Sequence, residues 1–112
     1  MSQKFGVPTA YSRFEELLND DSIDAVDLTT PNYLHAPMAI AALEAGKHVL
    51  CERPLARSAA EAEAMAKAAK KADRLLMCAL QHRFRPDAQL LRKFVDKGDL
   101  GEIFLAKGGW LR

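Results

Sequence analysis

Three short apolar stretches of this chain each run directly into residues that can do chemistry. Ala25-Val26-Asp27-Leu28-Thr29 leads into Thr30-Pro31-Asn32, His48-Val49-Leu50-Cys51 into Glu52-Arg53-Pro54, and Leu75-Leu76-Met77-Cys78-Ala79 into Gln81-His82-Arg83. Thr30 and Asn32 offer a hydroxyl and an amide to ribose hydroxyls or to a carboxamide. Glu52 beside Arg53 joins an acceptor to a permanent cation, which suits positioning a carboxamide or a hydroxyl-bearing substrate. Arg83 adds a second fixed cation.

Each cluster also has a plainer reading. Strand exits in α/β proteins are commonly polar whatever their role. His35 stands near a helix start and fits a local cap or a packing residue as well as a ligand. His48 opens a strand and reads as structural. Lys67, Lys70 and Lys71 suit a solvated helix face. Cys51 has no neighbour that marks it as a nucleophile. The two cysteines and three histidines are too scattered for a metal set. Convergence lifts the three clusters above that background. If the apolar stretches are parallel strands of one sheet, all three clusters emerge at the edge where open α/β sheets bind ligands.

The intervening pattern supports such a sheet. Ser12-Arg13-Phe14-Glu15 has the form of a capping box, and a short helix with Phe14, Leu17 and Leu18 on one face follows to about Asn19. Asp20-Asp21-Ser22 is a turn. A helix is expected from about Tyr33–Ala36 to Ala45, with Pro37 in its first turn, Met38, Ala41, Ala42 and Leu43 inward, and Gly46 beyond its end. Ser58 and Glu61 form a second capping box before an alanine-rich helix over Ala59 to Ala72, whose close-packing face holds Ala62, Met65, Ala66 and Ala69. Its acids come early and its bases late, in keeping with the helix dipole. Asp87 to Lys97 reads as an amphipathic helix with Leu90, Leu91, Phe94 and Val95 inward and Gly98 as its stop. Glu102 to Ala106 reads as a last strand. At the other end, Lys4-Phe5-Gly6 looks like a helix end, and Pro8 demotes Val7–Tyr11 to an edge strand or an extended loop. The alternation of helices and strands predicts an α/β fold with a parallel sheet.

The 112 residues bound the chain to one domain at most. Apolar residues make up 49 % and charged residues 28 %, a globular balance. With 16 basic and 15 acidic side chains, the net charge of +1 gives no electrostatic case for a nucleic-acid partner or a membrane surface. No apolar run approaches the roughly 18 residues of a membrane span. The first residues hold no signal-peptide core. Two cysteines inside apolar strands fit reduced thiols, and the expectation is a cytoplasmic protein.

The residues resemble a known family. Asp24-Ala25-Val26, Thr30-Pro31-Asn32 and His35, followed by Ala42-Leu43-Glu44-Ala45-Gly46-Lys47-His48-Val49-Leu50-Cys51-Glu52-Arg53-Pro54-Leu55, resemble the Gfo/Idh/MocA oxidoreductases. Arg83-Phe84 and Leu100-Gly101-Glu102-Ile103 match later stretches of that family. The resemblance covers essentially the whole chain, and its elements occur in family order. It implies a dehydrogenase or reductase using NAD or NADP on a sugar, cyclitol or related polyol, often as a homo-oligomer. It also implies a Rossmann-like doubly wound sheet. The site it implies has Thr30, Pro31, Asn32, His35, Glu52, Arg53, Gln81 and Arg83 as cofactor-binding residues, with Arg53 also catalytic.

Three departures shape the expectation. The family's usual base after the acid is lysine, and here it is Arg53, which stays protonated and can orient and polarise but not share a proton at neutral pH. No G-x-G-x-x-G turn occurs anywhere in the sequence. The family's downstream aspartate and histidine fall outside the chain. The expectation is therefore a partial Rossmann domain over residues 1–101 that lacks its first two strands, with residues 102–112 beginning a truncated C-terminal α/β substrate domain. Such a piece is expected to be inactive by itself. Its rival is a catalytically silent α/β nucleotide-binding or interaction module. Two local features are expected as well: a loosely attached N-terminal piece, and a cis bond before Pro54.

Overall fold

The computed structural model describes residues 2–109. The chain divides into two compact units, one up to Ala79 and one from Leu80 onward. In the first unit, α1 (Phe14–Leu18) precedes β1 (Ala25–Leu28), α2 (Asn32–Glu44), β2 (His48–Cys51), α3 (Ala59–Ala72) and β3 (Leu76–Cys78). The strands form one sheet in the order β1-β2-β3, with both pairings parallel. The expected α/β architecture is thus present, with all three strand positions in place.

Alternation along the strands decides where the core sits. The register sets Val26 beside Val49 and Leu28 beside Cys51, and these four side chains are buried. They meet Ala36, Ala39, Ala42 and Leu43 of α2 and Met65 and Ala69 of α3. Small residues on both helices let backbones approach closely, and α2 packs on α3 as well as on β1 and β2. Each large side chain buried here contributes roughly 1.5–3 kcal/mol. The other face of the sheet leaves Ala25, Asp27 and Met77 exposed. Phe14, Leu17 and Leu18 pack against the core from α1, as their spacing predicts.

The helix ends are set by named groups. At the C-terminus of α2, Gly46 takes φ +78°. Its N–H donates to Leu43 O (2.9 Å) and the Lys47 N–H to Ala42 O (2.9 Å), which satisfies two end carbonyls. The ammonium of buried Lys47 donates to Asp20 O (2.8 Å), a role its position in the sequence does not announce. At α3, Ser58 Oγ accepts from the Glu61 N–H (3.2 Å). Glu61 reaches back one residue further than a capping box requires, accepting from the Arg57 N–H (2.9 Å) and the Arg57 guanidinium (2.6 Å).

Several expectations are corrected. The Ser12 capping box does not form: Arg13 holds the N-cap position without a side-chain cap, and Ser12 Oγ donates instead to Glu16 (3.5 Å). Arg13 draws the Glu15 carboxylate to itself (3.4 Å), away from the helix end. Pro37 lies in the second turn of α2, because the helix begins at Asn32 directly after Pro31. Both Pro37 and Tyr33 are exposed, so solvent can meet the Tyr33 carbonyl that Pro37 leaves without a donor. Met38 and Ala41 are half-buried, and His35, Ala36 and Ala39 carry more of the inward side of α2. Ala66 is exposed. Val7–Tyr11 takes the loop alternative and forms no strand, and residues 4–10 are exposed.

In the second unit, a 3-10 turn (Gln81–Phe84) precedes α4 (Pro86–Lys97), which ends at Gly98 with φ +76°. Leu90, Leu91, Phe94 and Val95 are exposed rather than inward. No described element covers that stripe. Glu102–Ala106 forms no strand, because no described strand offers it a ladder. A run of strand formers specifies a strand only when a partner surface completes it, whereas α4 forms with its stripe uncovered.

Tyr11 and Asp20 anchor the segment before α1 to the turn before β1. The Tyr11 hydroxyl donates to Asp20 Oδ2, and Asp20 Oδ1 accepts from the Ser22 N–H (2.8 Å) and Ser22 Oγ (2.6 Å). The Ser22 hydroxyl first, then Tyr11 and the Ser22 N–H, hold the Asp20 carboxyl down at about 2, below its ordinary 3.8. The folded form therefore binds fewer protons than the unfolded form in that window. The stability this provides is complete above the ordinary carboxylate value and is lost as pH falls from about 4 to about 2. Asp20→Asn should be less stable than the parent chain at neutral pH, with the difference closing at the acid end. Thermal unfolding across a pH series measures it, and a gap that persists unchanged at the acid end would contradict the assignment.

Candidate functional site

The site residues of the first unit follow the C-terminal ends of β1 and β2. Leu28 and Cys51 are register partners, so Thr30-Pro31-Asn32 and Glu52-Arg53-Pro54 leave the sheet at one edge. The Glu52 N–H donates to Leu28 O (2.9 Å), which extends the ladder to the brink of both loops. Asn32 is the first residue of α2, and Pro31 before it provides no side-chain cap. The Leu34 N–H donates to Pro31 O (2.9 Å), and the Asn32 and Tyr33 N–H groups before it have no intrahelical acceptor and favour anionic or strongly accepting ligands.

Polar atoms along this edge differ in how they are engaged. Thr30 Oγ1 is buried and has no hydrogen-bond partner among the described residues. A buried hydroxyl in that condition costs about 1–3 kcal/mol, which a ligand able to bond it would recover. Glu52 is half-buried, and its carboxylate accepts from the Arg53 N–H (2.9 Å), which fixes the acid against its own turn. The Arg53 side chain is exposed and makes no ion pair among the described residues. The Arg53–Pro54 bond is cis, as expected. His35 is fully buried, and its ring nitrogens face Pro54 O (2.8 Å) and Thr30 O (2.9 Å). His48 is structural, its Nδ1 accepting from the Leu75 N–H (2.9 Å) across β2 and β3.

Gln81 and Arg83 belong to the second unit. Both are exposed within the 3-10 turn, where the Arg83 N–H donates to Leu80 O (3.0 Å) and Arg83 O accepts from Gln89 Nε2 (2.5 Å).

Cys51 lies one residue from Glu52, with its side chain on the core face. Burial pushes its thiol up to about 11, with smaller contributions from Cys78, Asp27 and Glu52. It is protonated at neutral pH and a poor nucleophile, in line with the sequence reading. Half-buried Cys78 should alkylate first when the folded chain meets iodoacetamide. Peptide mass spectrometry over time reads this, and equal or faster labelling of Cys51 would contradict it. No group of three or more acids, cysteines or histidines among the described residues is arranged to hold a metal ion. No described helix is long and apolar enough to cross a membrane.

Residues 1–80 match the family model of oxidoreductases with an NAD-binding Rossmann fold, Gfo/Idh/MocA. The chain belongs to the Gfo/Idh/MocA family. Its likeness to individual proteins runs along nearly its whole length. It is 40 % identical over 111 residues to the levoglucosan dehydrogenase of Pseudarthrobacter phenanthrenivorans, covering 99 % of this chain and 28 % of that protein. An NAD-binding oxidoreductase from Klebsiella pneumoniae superposes with a TM-score of 0.85 at 44 % identity, over 90 % of this chain and 27 % of that one. A levoglucosan dehydrogenase crystallised with NADH and levoglucosan superposes with a TM-score of 0.83 at 41 % identity, over 89 % and 27 %. The chain thus spans less than a third of the length of these relatives.

Proposed function

We propose that this chain forms the nicotinamide-facing part of the cofactor site in an NAD- or NADP-dependent oxidoreductase. Its substrate is a sugar, cyclitol or related polyol, and the reaction is hydride transfer. The observation that carries the reading is the edge itself: two adjacent strand exits bring a buried, unpartnered Thr30 hydroxyl, the open N-terminus of α2 and the Glu52–Arg53 turn to one side of the sheet. The residues present fit a dinucleotide there, because the Thr30 hydroxyl and the α2 N–H groups supply the bonds that its ribose and carboxamide need. The cofactor, when bound, accepts or donates the hydride.

The chain's own groups bind and orient. Thr30 and Asn32 hold the cofactor along the β1 exit. Glu52, fixed by the Arg53 N–H, accepts from a carboxamide or hydroxyl near the reacting carbon. The Arg53 guanidinium donates to the substrate oxygen and stabilises charge that develops on it, without taking its proton. Residues 1–101 are then the dinucleotide-binding part, and residues 102–112 lead into the substrate part. Gln81 and Arg83 complete the cofactor-binding set, and the working enzyme is a homo-oligomer in the cytoplasm.

A second reading rests on one fact: the sequence holds no G-x-G-x-x-G to cradle a pyrophosphate. On that reading the chain is a catalytically silent α/β module. Steady-state kinetics separate the two. A full-length enzyme containing this stretch should oxidise or reduce a polyol with a nicotinamide cofactor, followed by NADH absorbance. The 112-residue chain alone should show no turnover, because hydride transfer needs the cofactor held in contact with the substrate carbon. Turnover by the chain alone would overturn the assignment of a partial site. Failure of a full-length enzyme with every nicotinamide cofactor and polyol class would favour the silent module.

A further inference from the structure

One imidazole joins the two loops of the site. His35 sits in the second turn of α2 and is 0 % exposed. Its Nε2 lies 2.9 Å from Thr30 O at the β1 exit, and its Nδ1 lies 2.8 Å from Pro54 O at the β2 exit. The Thr30 end leads to Asn32, and the Pro54 end closes the turn that carries Glu52 and Arg53. No other side-chain hydrogen bond among the described residues links these two segments. An imidazole is planar and rigid, so holding both nitrogens fixes the gap between the two carbonyls closely. Both neighbours are carbonyl oxygens, so the ring nitrogen that carries the hydrogen donates to one of them, and the tautomer decides which.

We infer that His35 is a positioning residue: its buried ring sets the spacing between the Thr30–Asn32 loop and the Glu52–Pro54 turn, without touching the cofactor itself. The inference rests on the reading that these loops flank a nicotinamide cofactor. A buried histidine that only fills space would affect stability alone. A bracket between two walls of a site also moves the walls when it is removed, and small displacements of binding groups are costly to a reaction that depends on contact.

Two variants test this. His35→Gln keeps polar groups but has both amide hydrogens on one nitrogen, so it cannot span two carbonyls in opposite directions. His35→Leu fills the space with no donor. The first arm is heteronuclear NMR of the 112-residue chain, which needs no cofactor. Both variants should shift the amides of Asn32, Glu52, Arg53 and Leu55 while those of Val26, Val49 and Leu76 inside the sheet stay in place. The second arm is kinetics of a full-length enzyme carrying His35→Gln. The KM for the nicotinamide cofactor should rise about 10- to 100-fold, with a much smaller change in the KM for the polyol. Loop amides that stay in place in both variants would overturn the inference. So would a cofactor KM that is unchanged in folded variants, or losses that only follow a lowered Tm. A full-length enzyme that binds no nicotinamide dinucleotide would sink the functional reading instead, and the NMR arm would still decide whether His35 sets the loop spacing.

Discussion

Arg53→Ala in a full-length enzyme containing this stretch should lower kcat by about 100-fold, while the KM for the nicotinamide cofactor changes only a few-fold. The guanidinium is exposed at the β2 exit, and its partner acid Glu52 is already held by the Arg53 backbone N–H. Removing the side chain therefore deletes a donor toward the reacting oxygen and leaves the turn that carries it intact. An interaction made mainly in the transition state shows in kcat, whereas uniform binding shows in KM. Arg53→Lys should retain or raise activity, because an ammonium keeps the charge and adds the ability to share a proton. Unchanged kcat in Arg53→Ala would remove this residue from the mechanism.

Leu43→Ala should cost about 3 kcal/mol, within the range of buried leucine truncations. Leu43 is 0 % exposed in the core between α2 and the sheet. The neighbouring residues on that face of α2, Ala39 and Ala42, are already small, so little side-chain volume is available to collapse into the cavity. For a unit of this size the loss corresponds to a fall of roughly 12–24 °C in Tm. Since small domains hold only about 5–15 kcal/mol in total, the variant should be visibly destabilised in urea as well. A Tm within a few degrees of the parent chain would show that the site collapses far more freely than close packing allows.

The parts of the fold that the sequence disclosed are those where a local signal and a tertiary partner agree. The apolar runs ending at Leu28, Cys51 and Cys78 became strands because α2 and α3 cover their inward face. Gly46 and Gly98 ended their helices in left-handed conformation, which glycine takes without a Cβ penalty. The signals that misled were those without a partner. Ser12 and Glu15 have the letters of a capping box, but Arg13 competes for the carboxylate. Phe94 and Ile103 have the character of core residues and stand exposed.

The candidate site was legible as positions and not as contacts. Its placement at strand exits follows from topology, which the helix–strand alternation predicts. The links made by His35 and Lys47 reach 19 and 27 residues along the chain, to Pro54 and to Asp20, and no local pattern marks them. The unpartnered Thr30 hydroxyl emerges only from packing.

The most direct measurement is a crystal structure of a full-length enzyme containing this stretch, with its nicotinamide cofactor bound. The nicotinamide ring should lie against the Glu52–Arg53–Pro54 turn, with Thr30 and Asn32 along the adjoining ribose. A cofactor bound at the opposite ends of the strands, or a nicotinamide ring out of reach of Arg53, would contradict the central claim.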